Sequence, residues 1–352
     1  MNTEIFEIQD IHRDRDKLEK AAEILKRGGL VAIPTETVYG LAADCLNQQA
    51  VSRIFEAKGR PSDNPLIVHL ADTSDAPRYA RQLPDSFYKL AERFCPGPLT
   101  MIVPKRDCVP LVTSGGLDTV ALRFPAHPVA RELIRLSGCG LAAPSANRSG
   151  SPSPTTAQHC IQDMDSRIDA IVDGGSCPIG VESTVVSLMG DKVRLLRPGA
   201  VTPQQLAEVV GEVEIDPAVT HQLEQEAQAA SPGMKYKHYA PSAKVVILQG
   251  SPEKYRQFVN DAQGEGVFAL CFAEDTPFLT KPYVVMGREG DELSQAQGLF
   301  ACLRRLDELG ARVAYARCPS QEGMGLAVYN RLLRAAGFET VMLGQKEVCE
   351  DE

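Results

Sequence analysis

The sequence Leu30-Val31-Ala32-Ile33-Pro34-Thr35-Glu36-Thr37-Val38-Tyr39-Gly40 contains the transition that decides the fold. Its first four residues are apolar and partly β-branched, and the run stops at Pro34, which is typical of a buried strand that ends there. Hydroxyl and carboxylate side chains follow where the strand passes into a loop. Because open α/β sheets bind ligands at the carboxyl ends of their strands, this stretch predicts an α/β fold with a ligand site beside it.

A second polar loop lies a short distance downstream. Residues 51–55 carry apolar side chains at helical spacing, and Gly59 is placed to end that helix. Lys58 and Arg60 are therefore expected on an irregular loop that also carries Asn64. A stiff loop that holds Lys and Arg together suits phosphate or carboxylate recognition, although such cations also occur singly on solvated faces.

Two further strand ends carry a basic side chain. Residues 66–68 predict a strand that ends at His69, and residues 119–124 predict a strand with Arg123 near its end. The planar guanidinium suits a carboxylate. The plain alternatives are a satisfied histidine at a strand end and an arginine whose head reaches water.

A serine- and proline-rich loop follows a third short strand. Residues 141–143 predict the strand, and the loop at 144–154 leads into a helix near Thr155 or Thr156. Hydroxyls and free backbone N–H groups at a helix N-terminus form a natural phosphate cradle. A plain linker with an N-cap remains the alternative for this loop.

The remaining patterns predict a two-domain chain. The first domain should span residues 1–211, with further helices and strands at 18–25, 85–94, 99–103, 129–136, 168–172, 183–188, 193–196 and 202–210 and a turn at 113–117. Residues 212–242 are interpreted as a linker that is rich in aromatic and basic side chains near Tyr236, able to stack on a base or merely to dock. Residues 243–352 alternate strands and helices, which predicts a small Rossmann-like α/β domain with a parallel sheet. We find no catalytic constellation in it and interpret it as a lid or partner module.

Composition excludes several classes of protein. The 352 residues are 43% hydrophobic and 24% charged, which is ordinary for a globular chain long enough for two domains. A formal charge of -9 argues against a dedicated nucleic-acid binder. Ten cysteines without a CxxC pair and a start without a signal-peptide pattern predict reduced thiols in the cytoplasm. No apolar run approaches the roughly 20 residues that a membrane span needs.

Several familiar site motifs are missing. The chain contains no GxxxxGK[ST], HExxH or GxSxG motif and no Cys/His cluster with zinc spacing. Residues 138–143 fit GxGxxA, but they precede a strand, whereas a dinucleotide fingerprint follows one. We therefore expect neither a Walker loop nor a protein metal site.

Taken together, the motifs resemble the threonylcarbamoyl-AMP synthases of the YrdC/Sua5 family. The stretches that carry this resemblance lie at 34–41, 58–66, 121–125, 143–150, 182–186, 197–199 and 231–241. The last stretch and the long tail after it indicate the two-domain Sua5 type. The resemblance implies a YrdC-like twisted open mixed sheet with helices, followed by the smaller C-terminal domain.

The resemblance also implies a reaction. L-threonine, bicarbonate or CO2, and ATP with Mg²⁺ would give threonylcarbamoyl-AMP and pyrophosphate, without a protein nucleophile. The product would pass to the tRNA threonylcarbamoyl transferase machinery for the modification of adenosine 37 in tRNA. Contact of this chain with tRNA would be at most weak, and no membrane is involved. Residues 231–241 are the candidate lid over the labile carbamate.

Site residues follow from the resemblance by matched motif positions. The threonine pocket would comprise Thr37, His69, Arg123, Ser183 and, through its backbone, Ala143. Contacts to ATP would come from Arg60, Asn64, Thr119, Ser145, Ser153, Arg197 and Tyr236. Lys58 and Arg60 would be catalytic, because they would neutralise charge on the departing pyrophosphate.

Three other functions remain open. An α/β sheet with a basic cleft could be an RNA-binding module, although the overall acidity opposes this. A carbamoyl transferase of hydrogenase maturation is related, but that family carries acylphosphatase and zinc-finger regions that this chain lacks. An amino-acid sensor with an inactive site is the third.

Overall fold

The computed structural model describes residues 2–221 and 239–344. The chain divides into two compact units, Met1–Tyr236 and Lys237–Glu352. Most of the predicted lid at 231–241, including Tyr236, lies outside the described residues.

The first unit contains seven α-helices and eleven strands within its described residues. The helices are α1 Arg15–Lys26, α2 Gln48–Lys58, α3 Asp85–Phe94, α4 Leu111–Ser114, α5 Pro128–Ser137, α6 Ala157–Met164 and α7 Pro203–Val210. The strands are β1 Glu4–Glu7, β2 Val31–Ile33, β3 Gly40–Asp44, β4 Ile67–His69, β5 Leu99–Pro104, β6 Thr119–Arg123, β7 Leu141–Ala142, β8 Ala170–Asp173, β9 Thr184–Ser187, β10 Val193–Arg197 and β11 Val213–Ile215. Short 3-10 helices lie at Thr73–Arg78 and Pro217–Val219.

The eleven strands form one mixed sheet in the order β1-β8-β2-β3-β7-β4-β6-β5-β9-β10-β11. The pair β4 and β6 and the pair β5 and β9 are parallel, whereas β5 and β6, β9 and β10, and β2 and β3 are antiparallel. The predicted mixed α/β sheet is therefore confirmed. Its mixed direction matters for the site, because it brings carboxyl ends of some strands beside amino ends of others.

Alternation along the strands separates two apolar cores. Val68 and Leu122 point to a core that also contains Ile54 of α2 and Leu90 of α3. On the opposite face, α1 and α5 pack on the β2 side of the sheet through residues such as Leu18, Leu25, Val129 and Leu133. Farther along that face, Ile67, Ile102, Ala121 and Val185 form a small apolar floor. Polar side chains of the candidate site share this floor's side of the sheet.

Helix α2 shows how capping places a functional residue. The Asn47 side chain accepts hydrogen bonds from the backbone N–H groups of Gln49 and Ala50, and Gly59 ends the helix at φ +63°. The helix therefore includes Lys58, whose side chain is buried. The expectation of Lys58 on an irregular loop is wrong, because the glycine that ends the helix lies one residue beyond it.

Three further elements differ from the sequence expectations. Residues Gly40–Asp44 form a strand, although no strand was predicted there. The predicted turn at 113–117 begins as the short helix α4. Strand β11 pairs in parallel with β10, so the first sheet continues past residue 211 into the segment interpreted as a linker.

The second unit contains a separate parallel sheet. Its strands are β12 Lys244–Gln249, β13 Val267–Phe272, β14 Tyr283–Gly287, β15 Val313–Arg317 and β16 Thr340–Met342, and its helices are α8 Pro252–Asp261, α9 Glu292–Glu308 and α10 Gly325–Ala335. The strand order is β14-β13-β15-β12-β16, and the pairs are parallel. The predicted parallel α/β domain is confirmed, with β16 as an additional edge strand. Within residues 2–221 and 239–344, no helix combines the length and apolar character that a membrane crossing needs.

Candidate active site

One row of residues crosses five strands of the first sheet. His69 of β4 is in register with Arg123 of β6, and Arg123 is in register with Thr100 of β5. Thr100 pairs with Val185 of β9, which pairs with Arg197 of β10. Because registered neighbours point to the same side of a sheet, these side chains line one face.

Arg123 is the centre of a buried polar cluster. Its Nη2 donates to Glu36 Oε1 at 2.8 Å, and only 4% of the Arg123 side chain and 9% of the Glu36 side chain are exposed. Glu36 Oε2 accepts from the backbone N–H of Ala126 at 3.1 Å, which fixes the carboxylate. Nη2 also lies 3.4 Å from Thr35 Oγ1. The buried Nε of Arg123 has no hydrogen-bond partner among the described residues, so the guanidinium retains a donor for a ligand.

His69 is a neutral imidazole in this setting. Burial, and secondarily the nearby Arg123 guanidinium, lower the pKa of His69 to about 3. Arg123 Nη1 lies 3.4 Å from His69 Nε2 and can only donate, so Nε2 accepts. The proton then resides on Nδ1, which is 3.1 Å from Ile67 O. Nε2 is thus an acceptor directed toward Arg123.

Hydroxyl groups extend this cluster on two sides. Thr37 is fully buried, and its Oγ1 lies 2.9 Å from Thr35 Oγ1. Ser183 Oγ lies 2.8 Å from Thr100 Oγ1 and accepts from Arg197 Nη2 at 3.1 Å. The side chains predicted for threonine therefore lie near one another, with His69 and Arg123 on adjacent strands, Thr37 on the loop before β3 and Ser183 just before β9. Arg197, which is predicted for ATP, is bonded to Ser183.

Ala143 can contribute only through its carbonyl oxygen. Its backbone N–H donates to Ile67 O at 2.9 Å and is already used by the sheet. If Ala143 contacts threonine through its backbone, as predicted, the Ala143 carbonyl oxygen would accept the hydrogen bond.

A second cluster joins the end of α2 to the loop after β7. Lys58 Nζ donates to Ser145 O and Asn147 O, each at 2.5 Å. Burial, with the Arg60 guanidinium as the next cause, lowers the pKa of Lys58 well below its usual range. Even a neutral amine keeps two N–H groups for these two carbonyls. Lys58 therefore holds the 145–147 loop in place, and its Nζ is occupied by backbone acceptors.

Asn64 is a buried polar residue whose side chain makes no hydrogen bond to the described residues. It is 1% exposed, and neither its side-chain nitrogen nor its oxygen has a hydrogen-bond partner among the described residues. A buried amide left unpaired costs about 1–3 kcal/mol, so such a group indicates a ligand position. Arg60, at the other end of this loop, is half-buried.

The remaining predicted nucleotide contacts are dispersed. The hydroxyl of Ser153, which is fully buried, donates to Glu182 Oε1 at 2.5 Å. Thr119 begins β6, and an extended strand places it about 13 Å from Arg123 at the other end. Tyr236 lies outside the described residues.

Sequence reasoning assigned no role to four residues of these clusters. Glu36, Thr35 and Glu182 stand inside the quoted motifs, whereas Thr100 is a polar residue in an otherwise apolar strand. A buried arginine needs a carboxylate partner, and this rule could have selected Glu36. Nothing in the sequence indicated that β5 runs antiparallel to β6, which is what places Thr100 beside Arg123.

Comparison with known proteins identifies the family. A family model for Sua5, YciO and YrdC proteins, described as "Telomere recombination", matches residues 23–199. A second model, "Threonylcarbamoyl-AMP synthase, C-terminal domain", matches residues 201–337. The chain belongs to the Sua5/YciO/YrdC family. The resemblance inferred from the motifs is confirmed.

Similar members of the Sua5/YciO/YrdC family match almost end to end. A threonylcarbamoyl-AMP synthase of Pyrococcus abyssi is 45% identical over 92% of this chain and 95% of its own length. The enzyme of that name from Bacillus subtilis is 46% identical over 92% of this chain and 94% of its own length. The crystal structure of P. abyssi Sua5 complexed with L-threonine is similar with a TM-score of 0.90 at 41% identity, covering 97% of this chain and 100% of that chain.

Proposed function

We propose that this chain is an L-threonylcarbamoyladenylate synthase that supplies the N6-threonylcarbamoyl group for adenosine 37 of tRNA. It is a nucleotidyltransferase-type enzyme that releases pyrophosphate. The observation that carries the proposal is the buried Glu36–Arg123–His69 cluster with the unpaired Nε donor of Arg123, in a chain that matches threonylcarbamoyl-AMP synthases over 92% of its length.

The threonine pocket is built around Arg123. Glu36 holds the guanidinium through Nη2, and the unpaired Nε suits the carboxylate of the amino acid. His69 lines the pocket and orients the guanidinium, because its Nε2 accepts from Arg123 Nη1. Ser183 and Thr37 supply hydroxyls for the threonine hydroxyl or amine. The uncharged amine is the form that captures CO2 to give a carbamate, and the nearby Arg123 guanidinium disfavours a protonated amine.

The nucleotide lies against the second cluster in this proposal. Arg60 and Asn64 approach the triphosphate from one loop, and Ser145 and Ser153 from the other. The carbamate oxygen attacks the α-phosphorus and pyrophosphate leaves, so catalysis depends on positioning and on neutralising charge. Arg60 is the group we assign to the leaving pyrophosphate. We reassign Lys58 from catalysis to positioning, because its Nζ is bound to Ser145 O and Asn147 O.

Magnesium is proposed to enter with ATP. Among the described residues there is no group of three or more His, Cys, Asp or Glu side chains that could hold a metal ion. Mg²⁺ in nucleotide sites is bound mainly by phosphate and water oxygens with one or two carboxylates, and this pattern fits the residues present. Glu182 and Ser153, which are hydrogen-bonded to each other, would be oxygen ligands for the ion. The ion would neutralise phosphate charge.

We also propose bicarbonate as the carbon source, the tRNA threonylcarbamoyl transferase machinery as the acceptor of the product, and the cytoplasm as the location. The location is supported by nine cysteines in the described ranges, all of them free thiols, which suits a reducing compartment.

One assay tests the reaction directly. Pyrophosphate release is measured with ATP, Mg²⁺, L-threonine and bicarbonate, and each is omitted in turn. Release that requires both threonine and bicarbonate is expected, together with formation of threonylcarbamoyl-AMP. Serine in place of threonine is the matched substrate control, since one methyl group is worth only about 1–3 kcal/mol. Threonine-independent release would contradict the proposal.

A paired experiment should distinguish the role of Arg60 in catalysis from the role of Lys58 in stability. Arg60→Ala is expected to lose turnover by on the order of 100-fold or more with little change in unfolding, because it removes charge neutralisation from the transition state. Lys58→Met leaves two buried carbonyls without a donor and is expected to lower the free energy of unfolding by about 1–3 kcal/mol. Turnover and urea unfolding are measured for both variants. Near-wild-type turnover of Arg60→Ala would disprove its assignment, and an unchanged stability of Lys58→Met would disprove that of Lys58.

A further inference from the structure

We infer that Gly115, which lies outside the site described above, is a positioning residue for ATP: it sets the position of the loop that carries Asn64. The inference rests on the proposed function, because it uses the assignment of Asn64 to the nucleotide.

The turn after α4 lies directly against the backbone of that loop. A Cβ atom at Gly115 would come within 2.8 Å of Pro65 N and 3.1 Å of Asp63 O. Real Cβ atoms essentially never approach another atom within 3.0 Å. Since the atoms in the way are backbone, no side-chain rotation relieves the overlap, and either the turn or the loop must move.

The turn is held by two hydrogen bonds of its own. Thr113 Oγ1 donates to Cys45 O at 2.7 Å, which ties α4 to the chain just beyond β3. Gly116 N donates to Leu111 O at 2.9 Å, which closes the end of α4. The loop carries the unpaired Asn64 amide and joins the turn through the bond of Leu66 N to Thr113 O at 3.0 Å. An added Cβ at Gly115 should therefore displace residues 63–65.

Such a displacement should affect the nucleotide selectively. Asn64 lies between the two residues that a Cβ at Gly115 would meet, so its amide would move with them. The amino-acid pocket is held by other contacts, namely those of Arg123 with Glu36 and His69. Gly115 is thus expected to affect ATP affinity without affecting threonine affinity.

The adjacent glycine is a matched control. Gly115 and Gly116 both have positive φ, at +61° and +82°, so alanine at either position incurs a similar left-handed backbone cost. No atom lies within 4 Å of a Cβ at Gly116. The two alanine variants therefore differ in whether the new Cβ atom overlaps the backbone of residues 63–65.

The test is calorimetric titration of the full chain with ATP plus Mg²⁺ and, separately, with L-threonine, for wild type, Gly115→Ala and Gly116→Ala. Gly115→Ala should weaken ATP binding roughly tenfold or more, since sub-ångström to 1 Å misplacement of a binding group has effects of this order, while its threonine affinity stays within about twofold of wild type. Gly116→Ala should keep both affinities within about twofold.

Three results would overturn the inference. These are ATP affinity of Gly115→Ala close to wild type, an equal loss of threonine affinity in that variant, and an equal loss of ATP affinity in Gly116→Ala. Each can occur in a chain whose wild type binds both substrates, and the proposed function then stands. Failure of the wild type to bind ATP would instead refute the proposed function and this inference together.

Discussion

At the scale of single residues, the candidate site depends on a buried arginine that has its own carboxylate. A buried ion pair costs desolvation of both charges, and removing one partner leaves the other uncompensated. The pair of Arg123 and Glu36 is nevertheless suited to binding, because the carboxylate neutralises and orients the guanidinium while its Nε stays unpaired.

Arg123→Lys should distinguish the contribution of the positive charge to threonine binding from that of the planar guanidinium geometry. Lysine can still neutralise Glu36, but it lacks the planar fork that also reaches His69 and a ligand. Loss of a charge-assisted hydrogen bond of about 1.5–3 kcal/mol corresponds to a rise in the Kd of L-threonine on the order of 10- to 100-fold. Calorimetric titration measures it. Arg131→Lys, in a partly exposed pair with Asp72, is the control and should bind normally. An unchanged Kd for Arg123→Lys would remove Arg123 from the pocket.

The lowered pKa of His69 has a consequence for stability. The folded chain protonates His69 only near pH 3, whereas the unfolded chain does so near the ordinary value of 6.5. The unfolded state therefore binds more protons between these values, and stability falls as the pH drops from 6.5 toward 3.

The difference between wild type and His69→Asn isolates this effect. One such group contributes at most about 1.4 kcal/mol per pH unit to the free energy of unfolding, and the variant should lose that slope. Urea unfolding at pH 7, 6, 5 and 4 measures it. His12→Asn, at an exposed position, reports on the general effect of removing an imidazole. Parallel curves for wild type and His69→Asn would show that His69 titrates normally.

At the scale of elements, helix α7 has a complete capping box. Thr202 Oγ1 accepts from Gln205 N at 3.2 Å, and Gln205 Oε1 accepts from Thr202 N at 2.9 Å. Pro203 at the first helical position adds a preset φ. These contacts begin the helix a few residues after the strand that ends at Arg197.

Thr202→Ala should lower the free energy of unfolding without lowering turnover. Loss of the N-cap is expected to lower the free energy of unfolding by about 0.5–2 kcal/mol. Turnover at a permissive temperature should be retained, because the contacts of Thr202 are with its own helix. Urea unfolding measures the change, with exposed Gln204→Ala as control. Equal stability of the two variants would mean that the box contributes little.

At the scale of the whole molecule, the net charge decides between an enzyme and an RNA-binding module. The formal charge of -9 opposes binding of a polyanion, and Arg123 of the candidate site is paired with Glu36.

We therefore expect weak tRNA binding, with a Kd of about 10⁻⁴ M or weaker at physiological salt. Fluorescence anisotropy of labelled tRNA at 50 and 200 mM salt measures it. Submicromolar binding that falls steeply with salt, without ATP turnover, would favour the RNA-binding alternative.

The sequence by itself determined most elements and the membership of the clusters. Apolar periodicity, caps and proline breaks are local signals, so α1, α3, α5, α7 and most strands follow from neighbouring residues alone. Long motifs indicated the family, and with it which side chains belong to the site, because those motifs keep residue type and spacing together.

Only the tertiary structure decided what several of these residues do. Strand direction and register are long-range properties, and they place Thr100 beside Arg123. The path of the loop after β2 brings the Glu36 carboxylate to the same guanidinium. Burial also depends on distant segments. The sequence around Lys58 predicts an exposed loop cation, but the two carbonyls that Lys58 binds lie almost 90 residues away along the chain. Hydrogen-bond partners supplied by distant segments cannot be read from a local pattern, and these partners distinguish a group that holds a loop from one that meets a substrate.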